Sequence, residues 1–456
     1  MKAHELTKTV IKKLFIFLIF ILPAAEIFAQ DSTGTPFSLN QAVEYAISNH
    51  AEIKNAQLET EIARARTNEL IGIGLPQVNA TADMTKFLEI PTQFIPGEFF
   101  DGEPGTFAPV QFGQKYSASA GLSASQLLFD GTYLIGVKAA KTYIELARKS
   151  LSGTKIETAV NVSKAYYYVL VAEKRKQQLA VDLSRLDKLR NDTKALFDNG
   201  FVESIDYDRI ELSYNLVESA YSQVTRMVAN SYNLLKFQMG MDISTKIALT
   251  EDISSINFAT PVLNTDSNNY KSRIEYSILE TRYRLAGYDL DRYKTSRWPS
   301  LVAFGNYTTN ASRNEFNFFD SGYKWYPSSV IGVSLKVPIL GGYKIGYQVK
   351  QAALSREKIE NSFFTLEQSI KLDHANSVNT YQSNLEKLST QERNRTLARE
   401  ISRVSKIKYD QGVGSNLEVI DAEASLRESE TNYYVSLLET IIAKIDLDKA
   451  LGNFKY

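Results

Sequence analysis

The sequence predicts an α+β membrane protein in which long antiparallel α-helices alternate with four β-strands, built as an internal tandem repeat. Three observations carry this prediction. Landmark residues recur in the same order at a nearly constant offset. Prolines are confined to a few places, leaving two very long proline-free tracts. Four segments alternate apolar and polar residues with a period of two.

The repeat comes first because it organises the rest. Phe197-Asp198-Asn199-Gly200 matches Tyr409-Asp410-Gln411-Gly412, and Gly240 matches Gly452, both 212 residues apart. Phe129-Asp130-Gly131 pairs with Leu340-Gly341-Gly342, and Leu75-Pro76 with Trp298-Pro299. Self-similarity at a fixed period marks a duplicated structural unit. The expected organisation is a first repeat over 30–240, a linker over 241–265 and a second repeat over 266–456, each copy reading helix, two strands, long helix, helix.

Helices follow from the prolines. None occurs between Pro109 and Pro261, and none follows Pro338. An interior proline breaks a helix at a cost of about 3 kcal/mol or more, so long helices require such tracts. Residues 132–199 and 343–411 would each run about 100 Å at 1.5 Å per residue. Shorter helices are expected over 39–73, 202–239, 266–297 and 415–451. Laid end to end, each shorter pair roughly matches a long helix, as a uniform tube wall would need. Ser38 with Gln41 reads as a capping box, and Ser204 and Ser415 as caps after the Gly200 and Gly412 turns. Ile210, Val217 and Val224 fall seven apart, with Tyr214, Tyr221, Val228 and Leu235 at the second seam position, a coiled-coil pattern. Leu438, Ile441, Ile442 and Ile445 supply a less regular stripe in the second copy.

Strands sit between the helices. Val78, Ala80, Ala82 and Met84 alternate with Gln77, Asn79, Thr81 and Asp83, which puts the two sets on opposite faces. Ser117–Ser125 alternates Ser and small apolar residues, and Ile331, Val333, Leu335 and Val337 alternate across the fourth strand; 301–309 is the weakest. Each is about ten residues, the length a tilted strand needs to cross a bilayer. Four strands cannot close a barrel, since membrane barrels need about eight, and an open edge in lipid leaves backbone groups unsatisfied. Strands that span a membrane therefore require oligomerisation. The connecting loops, 87–116 and 310–328, are long and aromatic-rich, as on the outer side of a barrel. The two tryptophans, Trp298 and Trp325, bracket the second hairpin; an aromatic belt and ordinary turn packing both fit them.

The remaining composition removes other classes. Formal charge is zero, so no basic footprint for nucleic acid exists. There is no cysteine, which excludes disulfides and thiolate metal sites. His50 and His374 lie in helical pattern without ligand spacing to carboxylates, favouring surface or interhelix histidines over a metal site. Residues 1–29 read as a secretory signal peptide: Lys2, Lys8, Lys12 and Lys13 precede a short apolar run, with a plausible cut after Ala29. An N-terminal anchor helix is the alternative. Gly341 and Gly346 have P-loop spacing but Tyr347-Gln348 follows, not Lys-Ser/Thr. No catalytic constellation or cofactor motif occurs, so no enzyme is expected.

With this element order, the duplication, the run from Tyr409-Asp-Gln-Gly412 into Leu417-Glu-Val-Ile-Asp-Ala422, and the ending Ala450-Leu-Gly452, the chain resembles the TolC family of outer-membrane efflux proteins. The resemblance implies a homotrimer whose strands form one 12-stranded β-barrel in the lipid of a Gram-negative outer membrane, above a periplasmic α-barrel with a belt that would include the linker. It implies the role of exit duct in a tripartite efflux or type I secretion system, served by a periplasmic adaptor and an inner-membrane RND or ABC pump. Glu418 and Asp421 match the family's acidic gate positions. They are three apart, hence on one helix face, and in a trimer would form two carboxylate rings that favour cations. Tyr409 matches the tyrosine of the closing network and Asp206 the acid from the first repeat. The arginine of that network is absent, with Gly414 at its position; Arg209 is the candidate substitute, contacting Asp421 or Glu418. Gly200, Phe201, Val202, Gly412, Val413 and Gly414 match the adaptor-contact turns, although glycine after a helix is also simply a cap. The competing reading is a periplasmic helical adaptor or scaffold without a pore, which the four alternating strands do not suit.

Overall fold

The computed structural model describes residues 34–253, 256, 258, 269–454 and 456. The expected export signal and part of the expected linker lie outside the described residues.

Two helices set the dimensions. α3 (Gly131–Asp198) has 68 residues and α6 (Lys344–Asp410) has 67, so each is about 100 Å long. Each turns back into a 35-residue helix, α4 (Ser204–Gln238) and α7 (Asn416–Ala450). Ahead of them lie α1 (Leu39–Asn49), α2 (Ala51–Ile73) and α5 (Ile274–Thr295). The first part of α3 is flanked by α2, through Thr67 Oγ1 to the Ala140 carbonyl at 3.2 Å, and by α5, through Lys149 to Thr281 Oγ1 at 2.8 Å. Its last part is flanked by α4 and α7. Short helices thus share the length of a long one.

The expected single helix over 39–73 is broken at His50. Its ψ of 132° ends α1, and its ring nitrogen accepts the Glu52 N–H at 3.3 Å to start α2. The cause is tertiary. The turn after α4 abuts this point so closely that a Cβ on Gly240 would lie 2.7 Å from His50 Cα. The capping box of Ser38 and Gln41 forms as expected, and Ser415 caps α7. Ser204 does not cap: it is the first residue of α4, and Glu203 precedes it without a side-chain cap bond.

Among the described residues four apolar clusters hold the helices together, one of them the pairing of Tyr381 on α6 with Ala443 and Leu447 on α7. Ala42, Ala46, Tyr166, Val169, Leu235 and Met239 join α1, α3 and α4. Val160, Leu388, Tyr434 and Ile441 join α3, α6 and α7. Leu186, Leu189, Ile210, Val217, Val224 and Val419 form another, nearest the α3–α4 turn. The heptad positions Ile210, Val217 and Val224 are all buried, as their spacing requires. A short parallel pair, β1 (Thr35–Phe37) with β6 (Ile247–Leu249), fastens the N-terminal segment to the residues after α4.

The sheet is built from β2 (Gln77–Lys86), β5 (Tyr116–Phe129), β7 (Ser300–Arg313) and β8 (Tyr326–Lys336), antiparallel throughout, in the order β2-β5-β7-β8. Its edges, β2 and β8, have no partner among the described residues. Every residue of β2 is exposed, and Ile331 on β8 is 91 % exposed. The loop expected over 87–116 contains a hairpin of its own, β3 (Thr92–Pro96) and β4 (Phe107–Gln111). The other loop folds around Arg313, whose guanidinium lies 4.9 Å from the Phe318 ring and 4.6 Å from the Tyr323 ring. Trp298 stacks on Phe129 and Trp325 packs on Phe318, so each tryptophan has a local ring partner. Among the described residues no helix is long and apolar enough to cross a membrane.

Candidate functional site

The sheet stands at one end of the long helices, and two helical turns form the other. Both turns end their long helix identically. Gly200 (φ 77°) and Gly412 (φ 74°) take the left-handed conformation, which a Cβ disfavours. Phe201 N–H donates to the Leu196 carbonyl and Gly200 N–H to Phe197, both at 2.9 Å; Val413 N–H donates to Lys408 at 3.0 Å and Gly412 N–H to Tyr409 at 2.9 Å. This paired closure satisfies the last helical carbonyls. It also leaves Phe201 and Val413 projecting, each 78 % exposed, with Val202 half-buried beside them.

Beyond the glycines the turns differ. Gly414 N–H donates to Lys408 at 3.1 Å, and a Cβ on Gly414 would meet Lys408 Cβ at 2.9 Å and Tyr409 N at 3.0 Å. An arginine at this position requires the backbone to move. The absence of the familiar lock is therefore a property of the turn as well as of one side chain. Ser415 Oγ accepts the Glu418 N–H at 3.2 Å, satisfying one of the free donors at the start of α7. Asn416, the first residue of α7, donates from Nδ2 to the Asp206 carbonyl at 2.8 Å. That bond ties the first turn of α7 to the first turn of α4. Asn416 was not anticipated from the sequence; the only signal was its alignment with Ser204 at the repeat offset.

The sequence-derived site residues are partly brought together. Glu418 and Asp421 are both exposed on α7. Asp421 lines a groove of ≈ 550 Å³ with Arg175, Arg427 and Glu428. The Tyr409 hydroxyl is buried and, among the described residues, has no hydrogen-bond partner, so it makes no bond to Asp206 within the single chain. Arg209 is half-buried and, among the described residues, makes no ion pair with Glu418 or Asp421.

A second group of acids lies deeper in the same helices and was not anticipated. Arg185 on α3 bonds Asp182 Oδ1 at 2.8 Å and Glu423 Oε2 on α7 at 2.9 Å. Gln178 donates to Asp182 Oδ1 at 3.2 Å, Ser402 Oγ to Glu423 Oε1 at 2.7 Å, and Arg399 to Glu430 Oε1 at 2.9 Å. The three carboxylates are buried. Burial first, and the neighbouring Glu430 second, push the Asp182 carboxyl up to about 7, against the opposing pull of Arg185 and Gln178. The geometry of this network can couple helices and hold a proton.

Comparison with known proteins agrees with this architecture. The family model described as outer membrane efflux protein matches residues 42–241 and 279–453. The chain is 22 % identical over 427 residues to the probable efflux pump outer membrane protein TtgC of Pseudomonas putida, covering 92 % of this chain and 84 % of that one. It is 22 % identical over 340 residues to outer membrane protein TolC of Vibrio cholerae, covering 74 % and 76 %. The open state of the Neisseria gonorrhoeae MtrE outer membrane channel superposes with a TM-score of 0.72 at 19 % identity, over 91 % of this chain and 88 % of that one. Bundle, sheet and family match agree: this chain belongs to the outer membrane efflux protein family.

Proposed function

We propose that this protein is the outer-membrane exit duct of a tripartite efflux or type I secretion system, passing substrates outward without chemical change. One observation carries the reading. The outer strands of the four-stranded sheet are bare, with every residue of β2 and all but one of β8 exposed. Among the described residues the sheet's only buried cluster lies around Ala118 and Ala311 at its loop end, and neither edge has a partner, yet it is joined to about 100 Å of helix. A bare apolar sheet is not stable in water, and an unclosed one is not stable in lipid. Three copies pairing β2 of one with β8 of the next give twelve strands and remove every edge. Supporting this are the family membership and the efflux channels among its relatives. The mature chain would comprise two repeats, 30–240 and 266–456, around the linker.

At the opposite end, in the periplasm, Phe201 and Val413 with Gly200, Val202, Gly412 and Gly414 would meet the adaptor, and the pump behind it would select the substrate. Glu418 and Asp421, exposed on one face, would ring the constriction. Tyr409 and Arg209 would find their partners, Asp206 among them, across a subunit boundary. The test is fractionation, heat-modified gel migration and planar-bilayer recording of the purified protein. The expected result is an outer-membrane trimer that unfolds from a compact gel form and conducts ions. Recovery as a soluble monomer would overturn the reading in favour of a periplasmic scaffold.

A further inference from the structure

The buried acids behind the tip have no assigned role, and their arrangement is unusual enough to carry one. Three carboxylates, Asp182, Glu423 and Glu430, are at most 5 % exposed, and two guanidiniums contact them directly, Arg185 and Arg399. Buried carboxylates are normally neutralised one for one. Here one acid is in excess. Glu430 Oε2 is buried and, among the described residues, receives no hydrogen bond, the other mark of an unbalanced site. Asp182 and Glu430 line one small void of ≈ 10 Å³ together with Gln178, Thr431 and Tyr434, at the lower limit for a single water. Arg175 and Arg427 line it as well, but both are half-buried and, among the described residues, neither makes an ion pair with the three acids. On the remaining sides, α6 presents Arg399, Ser402 and Arg395, the last lying over the Tyr433 ring at 3.6 Å, and α4 presents the apolar Val217 and Val224.

One proton resolves the imbalance. Both hydrogen bonds received by Asp182 end on Oδ1, leaving Oδ2 to carry it. With Asp182 neutral, two carboxylates face two guanidiniums. With Asp182 ionised, three buried carboxylates share the two guanidiniums bonded to them, and Asp182 and Glu430 repel each other. The residues are also placed where looseness would matter. Glu423 and Glu430 lie about 10 and 21 Å along α7 from its first residue, and Asp182 about 24 Å from the last residue of α3, at 1.5 Å per residue. Within the cluster, Arg185 spans α3 and α7; Arg399 and Ser402 attach α6 to the same acids. The cluster thus joins the α3–α4 pair to the α6–α7 pair just behind Glu418 and Asp421.

We propose that Asp182, Arg185, Glu423 and Glu430 form a proton-loaded latch between α3 and α7, and that losing its single proton releases the α6–α7 pair at the tip. The latch rests on the channel reading above for its consequence, opening, but not for its chemistry. It supplies from inside the wall a closing contact that the Gly414 turn has no room to provide.

The test uses the full-length protein reconstituted in planar bilayers, wild type against Asp182→Asn and Glu430→Gln, from about pH 5 to about pH 9, a span that brackets the titration. The wild type should stay mostly closed at the acid end and open progressively through a midpoint near 7, the value to which the Asp182 carboxyl is raised. Asp182→Asn should lose the pH response and remain in its acid-end state throughout. Glu430→Gln, which removes the repelling charge, should shift the midpoint to lower pH. A second readout is the infrared band of a protonated carboxylic acid in detergent, present below the midpoint in the wild type and lost with Asp182→Asn. An Asp182→Asn profile that superposes on the wild type, or a wild type without the band, overturns the latch. Absence of ion current in every protein overturns the channel reading, while the infrared band still decides whether the proton is held.

Discussion

Helix α7 carries two acid pairs that differ only in which way they face. Glu418 and Asp421 are exposed, whereas Glu423 and Glu430 are buried. Glu423 lies about 140° around the axis from Glu418 at 100° per residue, and Glu430 returns to nearly the same side. The exposed pair is free to act on what passes by. The buried pair acts only on its neighbours, because every bond it makes goes to α3 or α6. Identical chemistry therefore yields a candidate selectivity element on one side of the helix and a structural coupling on the other.

Removing the base that serves the buried side should give the largest effect. Arg185→Ala leaves Asp182 and Glu423 without their shared guanidinium. Stranding buried charges in this way costs about 3–5 kcal/mol, so thermal unfolding followed by helical circular dichroism should show a large fall in midpoint. A change no greater than that of an exposed helix substitution would mean that the burial contrast between the two acid pairs carries no energetic weight.

The pH dependence of stability sharpens the same contrast. The Asp182 carboxyl is raised from 3.8 to about 7, so between these values the folded protein holds a proton that the unfolded chain has lost. Stability from this group is complete below about 4, declines as pH rises, and is gone above about 7, since stability falls with pH wherever the folded state binds more protons. Unfolding midpoints of the wild type should drop over this interval relative to Asp182→Asn. A difference that runs the opposite way would place Asp182 among ordinary ion-paired carboxylates.

Smaller effects belong to the turn that starts α7. Ser415→Ala removes the cap on the Glu418 N–H and should cost about 1 kcal/mol. Gly412→Ala forces a Cβ into the left-handed region and should cost about 1–2 kcal/mol. Both are readable as shifts in unfolding midpoint, and neither should alter the pH dependence that belongs to Asp182.

These contrasts mark what the sequence disclosed. The proline-free tracts 132–199 and 343–411 correspond within a residue to Gly131–Asp198 and Lys344–Asp410, because helix-breaking is a local property that a sequence displays directly. The glycine turns were equally legible: a left-handed position is written in the residue that fills it. The break at His50 was hidden, since no proline or glycine marks it and its cause is the turn at Gly240 pressing from elsewhere in the chain. The buried acids were hidden for the same reason. A Glu every seven residues on a helix reads as a solvated face until its partner is known, and Arg185 comes from the other half of the sequence. Glu418 and Asp421 stood out only through resemblance and their shared face; both are exposed, while the expected contact with Arg209 is not made within one chain among the described residues.

The exposed pair should produce the smallest change in stability and the clearest change in behaviour. Exposed substitutions that break no partner alter stability by no more than about 0.5 kcal/mol, so Glu418→Gln with Asp421→Asn should unfold at the wild-type midpoint. A ring of carboxylates sets cation preference at a constriction through its local field. The same double variant should therefore lower cation over anion permeability in reversal-potential measurements, and the loss should shrink at high salt as screening shortens the reach of the charges. If selectivity stays at the wild-type value while stability is also unchanged, the constriction lies elsewhere on the tip. The contrast between the two faces of α7 would then reduce to one of burial alone.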